Sequence, residues 1–193
     1  PRAEFYQNID AVNIDLKAFS KEFYMGLCSA HIEPVLETLK YIRHETKVWL
    51  EITTLLIPGE NDSLSEIDAM TCWILEHLGA DVPIHFTAFH PDWKMNDVPR
   101  TPLSTLQRAR RIAMGEGLHF VYTGNVHDPS GDATSCPECG VVVVQRNWYE
   151  LLGWHLDALG RCQTCSTQIP GVFEGAPGSW GSRRQAVQVL GKT

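Results

Sequence analysis

The sequence predicts an α/β protein: a parallel sheet built from βαβ units, followed by a small metal-stapled unit. Three observations carry that prediction. Short β-branched apolar runs alternate with amphipathic helical stretches from residue 11 to about residue 123. Polar residues collect at the C-terminal ends of the apolar runs. Two cysteine knuckles, Cys136-Pro137-Glu138-Cys139 and Cys162-Gln163-Thr164-Cys165, then appear in quick succession.

The first apolar run, Ala11 to Leu16, is closed by charge and reads as a buried strand. Ala30 to His44 places Ile32, Val35, Leu36, Leu39 and Ile42 at helical spacing. Lys47 to Ile57 is a second strand, stopped by Pro58-Gly59. Ser63 and Glu66 have the spacing of a capping box, opening a helix to Leu78 with Ile67, Met70 and Ile74 on one stripe. Val82 to Phe89 is the third strand. Thr101-Pro102 reads as an N-cap with proline at the first helical position, leading a helix to about Met114. Leu118 to Tyr122 is the fourth strand, closed by Thr123-Gly124-Asn125. Four parallel strands and three intervening helices amount to half of a (β/α) barrel or to an open sheet.

From Asp128 the composition changes. Pro129-Ser130-Gly131 reads as a linker. Val141 to Gln145 and Trp148 to Leu152 suit hairpins of a zinc-ribbon or rubredoxin-like unit. The expected divisions are therefore 1–127 for the α/β part, 128–173 for the four-cysteine ribbon, and 174–193 for a tail. Within the tail Arg183 to Val189 can add one strand.

Composition excludes some classes of function. The net charge is -7, and the cluster Arg108, Arg110 and Arg111 reads as a solvated helix face, so nucleic acid is not an expected partner. No apolar run approaches the ~18 residues that cross a bilayer, so no membrane role is expected. Four of the six cysteines lie in knuckles, which fits a reducing cytoplasm. The chain opens on Pro1 and enters an apolar segment almost at once, which reads as the interior of a longer protein.

Chemistry resides first in Cys136, Cys139, Cys162 and Cys165. Each CxxC turn converges two sulfurs, and two turns make a tetrahedral S4 site for zinc, with a single iron as the other candidate. Asp15 and Lys17 close the first strand on one side of the sheet. They can hold a zwitterion or a cation, or form a surface ion pair. Glu51, Thr53 and Thr54 interrupt an apolar strand, with Glu51 either lining a site or facing outward. His90 follows the third strand and reads as a surface or core residue, or as part of the same strand-end site. His85 is assigned to packing or a hydrogen bond of its own. Cys28 and Cys72 are read as buried structural thiols. Glu60-Asn61-Asp62, Asn125 and His127 complete the polar set at the strand ends.

The order NIDLKAF, KVWLEITTLLIPGEND, HFTAFHPDWKM, VYTGNV, the two knuckles and the GSRRQAV tail carries a further reading. From about residue 8 to residue 187 the chain resembles the C-terminal half of the radical S-adenosylmethionine (SAM) enzymes of the AmmeMemoRadiSam system. These are relatives of the pyruvate formate-lyase activating enzyme. The resemblance implies a partial (β/α)6 TIM-like barrel and an oxidoreductase. Such an enzyme uses a 4Fe-4S cluster to cleave SAM and abstract hydrogen from a substrate. It also implies that Lys17 contacts the amino-acid part of SAM, that Asp15 lies beside it at a monovalent cation, and that His90 helps hold SAM. Implied partners are SAM, an unidentified substrate (peptide, glycyl-radical protein or small molecule) and Memo-like proteins.

The chain departs from that family in three places. It has no CxxxCxxC, so the cluster ligands are missing and the fragment alone is expected to be inactive. The glycine-rich segment after the second strand is absent. Glu51 lies in a strand where the activating enzymes carry an arginine, and no cofactor role is assigned to it. The alternatives are a nonenzymatic zinc-ribbon adaptor on an α/β scaffold and a β/α barrel enzyme that needs no cluster.

Overall fold

A computed structural model describes residues 2–173 and 175–178. Its first sheet has four parallel strands in sequence order: β1 (Ala11–Asp15), β2 (Trp49–Leu56), β3 (Ile84–Ala88) and β4 (Val121–Gly124). Between them run α3 (Glu33–Glu45), α4 (Leu64–Leu78) and α5 (Leu103–Glu116). Two short helices, α1 (Arg2–Tyr6) and α2 (Lys21–Gly26), escaped the periodicity reading because one turn is too short to show a stripe. Ser20 caps α2 by accepting from the Phe23 N–H.

Register pairs Ile14 with Ile52, Ile52 with Ile84, and Ile84 with Val121, which sets an apolar row across one face. Against that face pack Leu39 and Ile42 of α3, Met70 and Ile74 of α4, and Leu106 and Ala109 of α5. Each buried Leu or Ile contributes about 1.5–3 kcal/mol relative to exposure, so this layer is the main source of stability. The opposite row is Asp15, Thr53, His85 and Tyr122, in register across all four strands. No helix covers that face among the described residues, which is unusual because parallel sheets are normally covered on both sides.

Two expected caps turn out differently. Ser63 caps α4 by accepting from Glu66 N at 3.2 Å, but the Glu66 carboxylate accepts instead from the Phe19 N–H at 2.7 Å. The box is half used because the α4 start also has to hold the chain leaving β1. Thr101 is not the N-cap of α5; Pro102 occupies that position. Thr101 is buried, accepts from the Phe89 N–H and donates to the Leu56 carbonyl, clamping the ends of β2 and β3. The fourth strand begins at Val121, three residues later than the apolar run. Arg110 is not simply solvated: its Nε donates to the Val121 carbonyl at 2.9 Å.

A second, antiparallel sheet follows, with β5 (Thr134–Ser135), β6 (Val142–Asn147) and β7 (Glu150–Trp154) in that order. The expected linker is a docked turn. Asp128 is buried and accepts from the Thr123 hydroxyl, while the Thr123 N–H donates to the Gly131 carbonyl. A side chain at Gly131 has no room, since a Cβ there would lie 1.8 Å from Thr123 Oγ1. Among the described residues the apolar cluster at the small sheet is just Phe120, Cys136, Val143, Val144, Leu156, Cys162 and Ile169. So small a core needs a staple. Residue 174 and residues 179–193, including the segment expected as a last strand, lie outside the described residues.

Candidate functional site

The knuckles fold alike. The Cys136 N–H donates to the Val141 carbonyl and the Gly140 N–H returns to the Cys136 carbonyl. In the second knuckle the Cys162 N–H donates to the Thr167 carbonyl and the Ser166 N–H returns to the Cys162 carbonyl. Each turn ends on a residue in the left-handed region, Gly140 at φ 72° and Ser166 at φ 64°. These two turns bring all four sulfurs within 4.8 Å of one another.

Cys136 Sγ lies 3.6 Å from Cys165 Sγ, and Cys139 Sγ lies 3.7 Å from Cys162 Sγ. A disulfide would need about 2.05 Å. Four sulfurs about 2.3 Å from one zinc are about 3.8 Å apart, so the separations fit one tetrahedral ion. The space is too small for a four-iron cluster. Cys136 and Cys162 are buried and Cys139 and Cys165 exposed, so the site sits at the surface with its inner half dry.

The sulfurs share protons unevenly. Cys165 is drawn down to about 6, first by the Thr167 hydroxyl and then by the Thr167 N–H. Cys139 receives a lowering hydrogen bond from the Val141 N–H, but burial and the three neighbouring sulfurs outweigh it and push it up to about 12. One thiolate is stabilised at the expense of another, the behaviour of a coupled set that a dication would deprotonate together.

At the strand ends the expected residues are present but not joined into one cluster. Lys17 Nζ lies 2.8 Å from Asp15 Oδ2, and both side chains are about half exposed. The Lys17 backbone is held from two sides: its N–H donates to Tyr24 Oη at 3.1 Å and its carbonyl accepts from Asn61. His90 is exposed, and its Nδ1 is 3.3 Å from the Pro91 carbonyl. No hydrogen bond links His90 to Asp15 or Lys17 among the described residues. Asn61 and Asn125 belong to the scaffold. Asn61 is buried with three backbone partners, and Asn125 Nδ2 donates to the Ala88 carbonyl at 3.1 Å. Cys72, expected buried, is exposed on α4 with Sγ 3.5 Å from Glu116 Oε2.

A third group was not assembled by sequence reasoning. Glu51 Oε2 lies 2.8 Å from His85 Nε2, and Trp49 Nε1 donates to Glu51 Oε1 at 3.0 Å. The hydrogen bond from His85 is the main reason the Glu51 carboxyl sits below its usual range, against the opposing effect of burial. His85 stacks on Tyr122 at 5.0 Å, and Tyr122 Oη is 2.9 Å from Thr134 Oγ1. Arg146 of β6 donates to Thr134 Oγ1 and to the Asp132 carbonyl, with its guanidinium 5.9 Å from the Tyr122 ring centre. These residues line a cavity of about 630 Å³ between the open sheet face and the small sheet. The one available sequence signal was that Glu51 and His85 both occupy the non-core phase of their strands; nothing pointed to Arg146.

The geometry thus defines an α/β protein with a parallel sheet and a four-cysteine group that can hold one metal ion. No family model matches the chain. It is 40% identical over 162 residues to the uncharacterized protein MJ0808 of Methanocaldococcus jannaschii, covering 83% of this chain and 48% of that protein. The chain therefore spans about half the length of the curated relative it matches. Among solved structures it is similar to a domain of pyruvate-formate lyase-activating enzyme from Bacteroides vulgatus. The TM-score is 0.56 and the identity 19%, over 64% of this chain and 73% of that one. A radical SAM methyltransferase from Sphaerobacter thermophilus aligns with TM-score 0.49 and 15% identity, over 58% of this chain and 33% of that one. The first of these structures shows a shared fold. No helix among the described residues is long and apolar enough to cross a membrane.

Proposed function

We propose that this chain is the C-terminal part of a cytoplasmic radical SAM enzyme of the activating-enzyme type. Residues 1–127 form half of a partial (β/α)6 barrel, residues 128–173 a zinc ribbon, and residues 174–193 a tail. The observation that carries the reading is a coincidence of position. A sheet shared with a pyruvate-formate lyase-activating enzyme domain has Asp15, Lys17 and His90 at its C-terminal strand ends, where α/β sheets bind ligands.

In this reading Lys17 offers its ammonium to the carboxylate of SAM, while Asp15, already 2.8 Å away, orients it. His90 extends the site from the end of β3. Tyr24 and Asn61 act through the Lys17 backbone, fixing where the ammonium stands. The cysteines present do not fit a 4Fe-4S cluster: Cys28 and Cys72 stand apart from the others, and the remaining four sulfurs lie within 4.8 Å of one another, the spacing of a one-ion site. Ligands for the cluster then belong to polypeptide outside residues 1–193, and no step through it is assigned to these side chains. The substrate is a protein or small molecule that gives up a hydrogen atom, with a Memo-like protein as a candidate partner.

Anaerobic reconstitution of the full-length parent tests this. The expected result is 4Fe-4S absorption, reductive release of 5′-deoxyadenosine from SAM, and a raised KM for SAM in Lys17→Ala with unchanged cluster absorption. Absence of both cluster and cleavage defeats the proposal. One observation favours a nonenzymatic zinc-ribbon adaptor instead: Asp15 and Lys17 already neutralise each other and His90 stands apart. In that case Lys17→Ala leaves SAM binding unchanged.

A further inference from the structure

The cavity between the sheet and the small unit lies at the opposite end of the strands from Lys17. Its walls include Ala11, Trp49, Pro83 and Phe120 at or near the strand starts. It is therefore independent of the radical SAM reading. At about 630 Å³ it lies within the usual size range of small-molecule sites, with aromatic walls and a few converging polar groups.

We propose that this cavity binds a small organic cation, an aryl- or alkylammonium group held against its aromatic walls by the carboxylates of Glu51 and Asp132. Three observations support that class. First, Asp10, Glu51 and Asp132 line the cavity against one guanidinium, Arg146, and one imidazole, His85. Asp10 and Asp132 take part in no ion pair among the described residues, and the only one at Glu51 is with His85. Second, the Trp49 indole is bonded edge-on to the Glu51 carboxylate, and Tyr122 and Trp154 add further aromatic walls. A carboxylate beside aromatic faces is the arrangement that recognises ammonium groups. Third, the protein already places one organic cation in this space, its own Arg146 over Tyr122. Burial and the neighbouring Asp128 hold the Asp132 carboxyl above its usual range, a crowding that an added cation relieves.

The test uses the metal-loaded 193-residue chain, with benzylamine as probe and benzyl alcohol and phenylacetate as neutral and anionic counterparts. NMR titration follows the indole N–H signals of Trp49 and Trp154. Benzylamine is expected to give saturable shifts at millimolar concentration, and the other two none. Glu51→Gln is expected to weaken binding about tenfold, the scale of one lost charge-assisted contact. Asp132→Asn, at the rim, provides a second variant should Glu51→Gln disturb folding. Weakened binding in either folded variant supports the site. Absence of saturable benzylamine shifts, equal binding of benzyl alcohol or phenylacetate, or unchanged affinity in both folded variants overturns it.

Discussion

Asn61 ties the end of β1 to the end of β2: its Nδ2 donates to the Lys17 carbonyl at 2.6 Å and to the Leu55 carbonyl at 2.9 Å. Its Oδ1 accepts from the Ile57 N–H at 2.7 Å, so both donors and the oxygen of the buried amide are engaged. Asn61→Asp keeps the shape but turns two donor contacts into oxygen facing oxygen. The expected loss is about 2–3 kcal/mol, since buried backbone groups are left unsatisfied. Urea denaturation measures it. A loss below the error of the fit would mean that the strand ends are held by other means.

Gly131 predicts how the small unit is attached. Its absent side chain is what lets the turn close on β4, because a Cβ would meet Thr123 Oγ1 at 1.8 Å and Asp128 Oδ2 at 2.7 Å. Gly131→Ala must push the turn away or break the Thr123–Asp128 hydrogen bond. Overpacking of this kind costs roughly 1–3 kcal/mol. Limited proteolysis between β4 and β5 should become faster in the variant, with metal content unchanged. Equal cleavage rates would show that the turn is not the attachment point.

Much of the sheet was legible because strand and helix periods differ and the sequence keeps to them. The apolar phase of Lys47–Ile57 is the buried phase of β2. The knuckles were legible because CxxC is local. What escaped depended on contacts between residues distant in sequence. Thr101 reads as a cap until Phe89 and Leu56 are beside it, and Glu66 reads as half of a box until Phe19 arrives. Similarly, Glu51 and His85 gain their meaning from a register in which Thr53 stands opposite His85. Arg146 reaches the same cavity only because the turn at Asp128–Gly131 docks the second sheet.

The Glu51–His85 pair gives a pH dependence whose sign follows from the direction of the shift. The folded carboxyl is depressed, chiefly by the hydrogen bond from His85, below its unfolded value near 4.5. A depressed carboxylate contributes stability that is full above the unfolded value and is lost as pH falls through the folded one. Wild-type protein should therefore exceed Glu51→Gln in stability above pH 4.5, and the gap should shrink as pH is lowered further. Denaturation midpoints of both proteins across that range check it. A gap that widens on acidification would reverse the assignment of the proton.

The metal site makes the sharpest prediction. Four sulfurs within 4.8 Å, two of them buried, repel one another as thiolates unless a cation lies between them. Purified protein should contain about one zinc or one iron per chain, and cobalt in its place should give the intense thiolate absorption of a tetrahedral S4 site. Affinity should fall as pH falls, because protons compete for the sulfurs and Cys139, pushed up to about 12 in the ion-free site, holds its proton hardest. Cys139→Ser removes one ligand and is expected to lower metal occupancy strongly. Because the surrounding core is small, chelation should unfold the second sheet before the first. A single cooperative transition unmoved by chelator, or two disulfides in place of the ion, would show that the knuckles are not a metal staple.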